Sequence, residues 1–135
     1  MHNALDLSHC ELADEDVALL EHIVSDMPIL ADLGRSDLLL FCRDRRGRVR
    51  VVAQAMPHSV TPLYEGRRVG TVVSAGDYEH VVEAFDKAPR PTRVHTVEVR
   101  GSSVARSVHA VLGHGDQIVA VLAQDSYWLA YERHR

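Results

Sequence analysis

A chain of 135 residues with 46% hydrophobic and 25% charged residues has the composition of one globular domain, and such a domain buries roughly two-thirds of its unfolded surface. The formal net charge of −4 gives no electrostatic reason to expect nucleic acid or an anionic membrane as a partner. No stretch approaches the ~20 apolar residues of a membrane span, and Met1–Asp6 has no basic segment leading into an apolar one, so neither an anchor nor a signal peptide is expected.

Ser8 and Glu11 form an S-x-x-E pattern that predicts a capping box, with Asp14 as a rival N-cap. Val17, Leu20, Val24, Met27, Leu30 and Ala31 then recur at helical spacing and predict a helix over about Asp14 to Leu33. Pro28 is expected to kink or split it, and Gly34 to end it. Two apolar runs, Leu38–Cys42 and Val49–Ala53, flank a polar glycine-containing loop and predict a β-hairpin. The first run is apolar on both faces and belongs at the centre of a sheet. From Met56 to Arg93, Pro57, Pro62, Gly66, Gly70 and Gly76 break the pattern. Inside this segment Asp77 is the expected N-cap of a short helix carrying Tyr78, Val81, Val82 and Phe85, which Lys87 to Pro91 ends. Arg93–Arg100, Val104–Leu112 and Gln117–Gln124 predict an antiparallel meander. Asp125 or Ser126 is then expected to cap a last helix through Trp128, Leu129 and Tyr131, still running where the chain stops.

One antiparallel sheet with helices on it is an α+β fold. With the last strand beside the first, the five strands take the order 2-1-5-4-3, the layout of GAF and PAS domains. The sequence itself adds a more specific likeness over about Met27 to Gln124. It lies in Leu30-Ala31-Asp32-Leu33 ahead of the first strand, Val52-Ala53-Gln54 in the second, Val69-Gly70-Thr71-Val72-Val73 before the crossover helix, and Gly115-Asp116-Gln117-Ile118-Val119-Ala120-Val121-Leu122 in the last hairpin. In their order and spacing these stretches resemble the GAF-like N-terminal sensory domain of bacterial cytosolic sensor histidine kinases. The resemblance implies a cytoplasmic regulatory module that pairs with a second copy and acts on kinase domains further along the same polypeptide. On this reading residues 1–135 are a single GAF-like domain: a helical segment over 1–35, sheet and crossover over 37–124, and the start of a cut signalling helix over 125–135. No phosphoacceptor helix and no asparagine- and glycine-rich nucleotide motif is present, so the chain is not expected to be an enzyme.

The residues that could carry chemistry support the same reading. Nine histidines are numerous, but they lack the short-spaced pairs of a zinc site. His95 and His109 fall on neighbouring predicted strands where they could face each other in a metal or charge-switching role, against the preferred reading of ordinary half-buried histidines. Cys10 and Cys42 fall short of a disulfide framework, and free thiols are expected in a cytoplasmic chain. Cys42 lies in an apolar run that suppresses reactivity, and Cys10 reads as exposed, with no evident activating partner. No serine sits in a G-x-S-x-G context, and Gly66–Gly70 lacks phosphate-loop spacing. Arg43, Arg45, Arg46, Arg48 and Arg50 form a basic hairpin without the interleaved aromatics of a single-strand nucleic-acid site. In GAF-like folds the crossover roofs one face of the sheet, and small molecules bind beneath it. Phe41, Gln54, Met56, Tyr64, Tyr78 and Phe85 are the side chains expected to converge there, with Gln54 as the polar group among apolar walls. A filled core with no cavity, in a ligand-free interaction scaffold, is the alternative. The cofactor, if any, is not specified by these residues.

Overall fold

The computed structural model describes residues 5–87 and 94–128. In chain order it comprises the helix α1 (Asp14–Gly34), the strands β1 (Asp37–Arg43) and β2 (Val49–Ala55), the helix α2 (Glu79–Asp86), β3 (Val94–Val99), β4 (Ser102–Leu112), a 3-10 turn (His114–Asp116) and β5 (Ile118–Tyr127). The strands form one antiparallel sheet in the order β2-β1-β5-β4-β3, as expected from the sequence. α1 covers one face; α2 and the irregular crossover from residue 56 to residue 78 cover the other.

α1 begins later than the Ser8/Glu11 pattern predicts. Ser8 bonds Asp6 instead (Oγ to Oδ1, 2.6 Å), and the N-cap is Ala13, which has no side-chain bond to offer. Asp14, Glu15 and Asp16 in the first turn oppose the positive end of the helix dipole in its place. Pro28 neither splits nor ends the helix. The buried ladder Leu20, Val24, Met27 and Ala31 runs past it on the sheet side, and that packing outweighs one missing backbone bond. Leu30, expected on the same stripe, is exposed. The helix ends at Gly34, with Arg35 in the left-handed region and the amide of Ser36 donating to the Ala31 carbonyl at 3.0 Å. A Cβ on Gly34 would meet Gln124 Nε2 at 2.8 Å, so a side chain there would have to push the Gln124 amide aside.

β1 is buried over Asp37–Cys42, as its unbroken apolar run requires. Leu39 and Phe41 face the crossover, while Leu38, Leu40 and Cys42 face α1. Two pairing irregularities alter the strict alternation. Leu40 pairs with Ala53 and Phe41 with Val51, so Val52 is an extra residue in β2. Val111 pairs with Ala120 and Leu112 with Ile118, so Val119 is an extra residue in β5. Each is a β-bulge, and each turns the valine onto the α1 face beside its neighbour. The outer edge of β2 is paired by the crossover: Val51 N donates to Thr71 O, Gly70 N to Val51 O and Val73 N to Val49 O.

Two sequence expectations need correction at the helix caps. Asp77 does not cap α2, whose N-cap is Tyr78 with no side-chain bond. Asp125 and Ser126 do not cap a last helix, because β5 continues through Tyr127. Asp125 is drawn into the sheet as the buried partner of Arg106. Trp128 is the first helical residue after β5; Leu129 and Tyr131 lie outside the described residues, as do Arg93 and the segment expected to follow α2. No helix among the described residues is long and apolar enough to cross a membrane.

Candidate functional site

Beneath the crossover, a polar cluster is buried inside the apolar face. Arg106, on β4, is 1% exposed and points to the crossover side between Val104 and Val108. Its guanidinium makes a two-pronged pair with Asp125 of β5, Nε to Oδ1 at 2.8 Å and Nη2 to Oδ2 at 2.9 Å. The register places Arg106 directly opposite Asp125, so the pair is a cross-strand contact fixed by the sheet. Tyr64, carried in by the crossover, donates its hydroxyl to Asp125 Oδ2 at 2.7 Å and accepts from Arg106 Nη2 at 3.2 Å. The Tyr78 hydroxyl lies 3.2 Å from that of Tyr64, and the Arg106 guanidinium stacks 4.5 Å from the Tyr78 ring centre. Burial, together with the neighbouring Asp125 carboxylate, pushes the Tyr64 hydroxyl well above the usual phenol range, so it stays a donor.

The crossover is pinned over this cluster at several points. Asp37 Oδ1 accepts from Leu63 N at 2.8 Å. Burial, opposed by the Leu63 and Tyr64 amides and reinforced by Asp125, pushes the Asp37 carboxyl up. Gln54 Nε2 donates to Gly66 O at 3.1 Å, and Gln54 Oε1 accepts from Arg68 N at 2.6 Å. Asp32 near the end of α1 accepts from the amides of His58 and Ser59.

Two openings adjoin the cluster. A cavity of about 240 Å³ is walled by Tyr64, Arg68, Tyr78, Glu98 and Arg106, among others. A broader cleft of about 580 Å³ runs past Met56, Leu63, Tyr64, Arg100 and Tyr127. Arg68 lies with its guanidinium 5.5 Å from the Tyr64 ring centre, and its Nε is buried without a hydrogen-bond partner. Arg100 is paired with Glu65 at 3.3 Å.

Set against the residues proposed from sequence, Phe41, Tyr64, Tyr78 and Phe85 do come together in one buried cluster. Tyr64 and Tyr78 line the smaller cavity and Met56 the broader cleft. Phe41 and Phe85 pack in the core beneath them. Gln54 spends both ends of its amide on the crossover backbone, so its role is to hold the roof. His95 and His109 do not face each other. His95 pairs with Arg106 in register and stacks on His80 of α2, with ring centres 3.6 Å apart. His109 lies on the α1 face, in a groove of about 450 Å³ with Leu30, Leu33, Leu38 and Leu122. The strand alternation sends them to opposite faces of the sheet. Among the described residues there is no group of three or more His, Cys, Asp and Glu side chains placed to hold a metal ion. Within the basic hairpin Asp44 takes Arg48 and Arg50 at 3.1 and 3.0 Å, and from outside it Asp86 takes Arg43 at 2.8 Å and Glu11 takes Arg45 at 3.7 Å. Burial raises the Asp44 carboxyl, but the Arg48 amide and the Arg50 guanidinium outweigh it and hold the carboxyl down at about 2.

Sequence reasoning missed Arg106 and Asp125. One was read as an ordinary strand residue and the other as a helix cap. The available signal was a charge on the inward period of each of two adjacent strands, where Val104 and Val108 flank Arg106.

Comparison with known proteins places these features in a family. A family model described as "Histidine kinase PdtaS, GAF domain" matches residues 3–134. "Sensor histidine kinase PdtaS" of Mycobacterium tuberculosis, in strains CDC 1551 / Oshkosh and ATCC 25618 / H37Rv, is 32% identical over 129 residues, covering 93% of this chain. The chain spans only 25% of the length of those relatives. A solved structure titled "Sensor region of a sensor histidine kinase" superposes with a TM-score of 0.66 at 29% identity, over 91% of this chain and 40% of that one. The crystal structure of an IcIR transcriptional regulator from Alicyclobacillus acidocaldarius shares the fold alone, with a TM-score of 0.57 at 13% identity over 85% of this chain and 60% of that one. From the extent of the family match and the 32% identity over 93% of its length, the chain belongs to the GAF-domain family of the histidine kinase PdtaS.

Proposed function

We propose that this GAF domain senses a small polar ligand in the cavity between Tyr64, Arg68, Tyr78 and Arg106, and passes the change in conformation along β5 to kinase domains of a longer polypeptide. The observation that carries the reading is the unpartnered, buried Nε of Arg68 beside that cavity. A buried donor without an acceptor costs about 1–3 kcal/mol, and a ligand acceptor there would recover it. The cluster also has the geometry of a relay. Tyr64 from the roof bonds Asp125 near the end of β5, three residues before Trp128 opens the segment that would lead to the kinase. A ligand that draws Arg68 and Tyr64 toward itself would loosen that bond and favour a second arrangement of the strand end.

The reading is tested in the longer kinase with Tyr64→Phe and Arg68→Ala. Tyr64→Phe removes the relay hydroxyl and should change the autophosphorylation rate while the domain stays folded by circular dichroism. Arg68→Ala should abolish any thermal shift produced by a small-metabolite panel. Unchanged autophosphorylation in both variants would show that the cluster is only structural.

A pure interaction module is the second reading. What favours it is the outer side of α1, where Ile29, Leu30 and Leu33 are 60%, 46% and 73% exposed. Three large apolar side chains within five residues suit a two-fold helix pair with a second copy of this chain. The two readings are compatible, since a parallel two-fold helix pair would place both strand ends on one side of the assembly.

A further inference from the structure

Residues 5–13, ahead of α1, form no helix or strand, yet they are fastened to the β1–β2 hairpin. Asp6 N donates to Val52 O at 2.9 Å, Arg45 N to His9 O at 2.9 Å, and Arg45 Nη1 to Ser8 O at 2.9 Å. This lays Cys10 over the α1-facing side of β1, in the same apolar cluster as Cys42. Arg45 N holds the His9 carbonyl at the hairpin, which sets Cys10, the next residue, against the same face of β1 that carries Cys42. Cys10 is 7% exposed and Cys42 fully buried, and both are free thiols.

We propose that Cys10 and Cys42 are a redox pair that hydrogen peroxide oxidises to a disulfide, bolting the N-terminal segment to β1. The two sulfurs are not equivalent. The hydrogen bond from Cys42 holds the Cys10 thiol down against its burial and the Asp44 carboxylate, and the nearby Arg50 and Arg45 guanidiniums assist. The same bond, with burial, pushes Cys42 up. Cys10 is therefore the attacking thiolate and Cys42 the resolving thiol. The Cys10 sulfur attacks one peroxide oxygen, the O–O bond breaks, and the departing hydroxide takes a proton to become water. The Cys42 sulfur then attacks the resulting sulfenic acid. The S–S bond forms, the S–O bond breaks, and the Cys42 proton leaves with the hydroxyl as a second water. Two electrons pass from the sulfurs to the peroxide, which is reduced to two waters. Ser8, His9 and Glu11 beside Cys10 are exposed, so a small oxidant needs only this segment, and none of the sheet, to lift. The closed loop contains the whole of α1.

The experiment treats the folded 135-residue chain with hydrogen peroxide and reads intact mass, free thiols and non-reducing peptide maps. The expected result is the loss of two hydrogens, loss of both thiols, a peptide joining Cys10 to Cys42, reversal by dithiothreitol, and a higher denaturant midpoint for the oxidised chain. Cys42→Ser, or Cys42→Ala if the serine variant does not fold, should leave Cys10 as a sulfenic acid that dimedone traps. Cys10→Ser should leave Cys42 reduced. Oxygen gained at Cys10 with Cys42 still a free thiol in the native chain would overturn the proposal. So would cross-linking seen only in denaturant. Both outcomes are read on sulfur chemistry and stand apart from whether the polar cavity binds a ligand.

Discussion

Phe41 has no accessible surface and meets the Tyr78 ring at 5.5 Å, at the point where β1 supports the roof over the polar cluster. Phe41→Ala removes a ring that neighbouring strands cannot collapse to replace, and should cost about 3–5 kcal/mol in a denaturant melt. A loss under about 1 kcal/mol would mean that the core closes over the gap. A second single-residue device sits at the opposite end of the α1 face. Asp16 accepts from the His114 amide at 2.8 Å, and His114 Nδ1 lies 2.8 Å from the other carboxylate oxygen. Asp16 holds the imidazole above its ordinary value through that hydrogen bond and its charge. The stabilisation is therefore complete below the unfolded value of about 6.5 and is lost as pH rises through the folded one. The His114 amide, against desolvation, holds Asp16 below the usual carboxylate range, so its share is lost only as pH falls below about 4. The pair itself should stabilise the chain most between those limits. His114→Gln should flatten the decline in denaturant midpoint as pH rises above about 6.5. The same slope in both proteins would assign it to another group.

At the scale of elements, α1 has two faces with different tasks. Leu20, Val24, Met27 and Ala31 are given to the sheet, which leaves Ile29 and Leu33 with water or with a second helix. The double variant Ile29→Glu, Leu33→Glu should run as a monomer in sedimentation velocity at concentrations where the native chain self-associates, with its fold retained. A native chain that remains monomeric as concentration rises would remove the helix pair from the account. The bulges at Val52 and Val119 are the other element-scale feature. Each reverses which face its strand presents partway along, so β2 can give Val49 and Val51 to the roof side and Ala53 and Ala55 to α1. A glycine serves the second bulge. A Cβ on Gly113 would come within 2.6 Å of Val119 Cγ1 and 2.5 Å of Asp16 Oδ1, so the turn can carry no side chain without moving both.

For the molecule as a whole, the strand order and the two covering layers were legible because hydrophobic period and turn residues report burial directly. The unbroken run Leu38–Cys42 announced a central strand, and the Gly101 and Gly113–Asp116 turns announced the meander. What escaped are the places where local chemistry points one way and tertiary context another. Asp125 before Ser126 reads as a helix cap until Arg106 lies across from it. A valine that bulges looks in sequence like one that pairs. His95 and His109 differ by an even number of positions, yet sit on antiparallel strands whose register sends them to opposite faces, which no spacing rule can reveal. The same sheet order also governs how the chain acquires its shape. β1 pairs with β5, so the central seam joins the first strand to the last, Phe41 to Val121 and Leu38 to Gln124. Hairpins β1–β2 and β3–β4 can each form locally, and α1 can already cover the first, but the core on the crossover side joins the two only when Val121 and Ala123 of the final strand arrive between them. Closing that distant pairing carries the entropy of the whole intervening chain. A nascent chain emerging from the ribosome therefore joins its two halves only when β5 is free to enter between them.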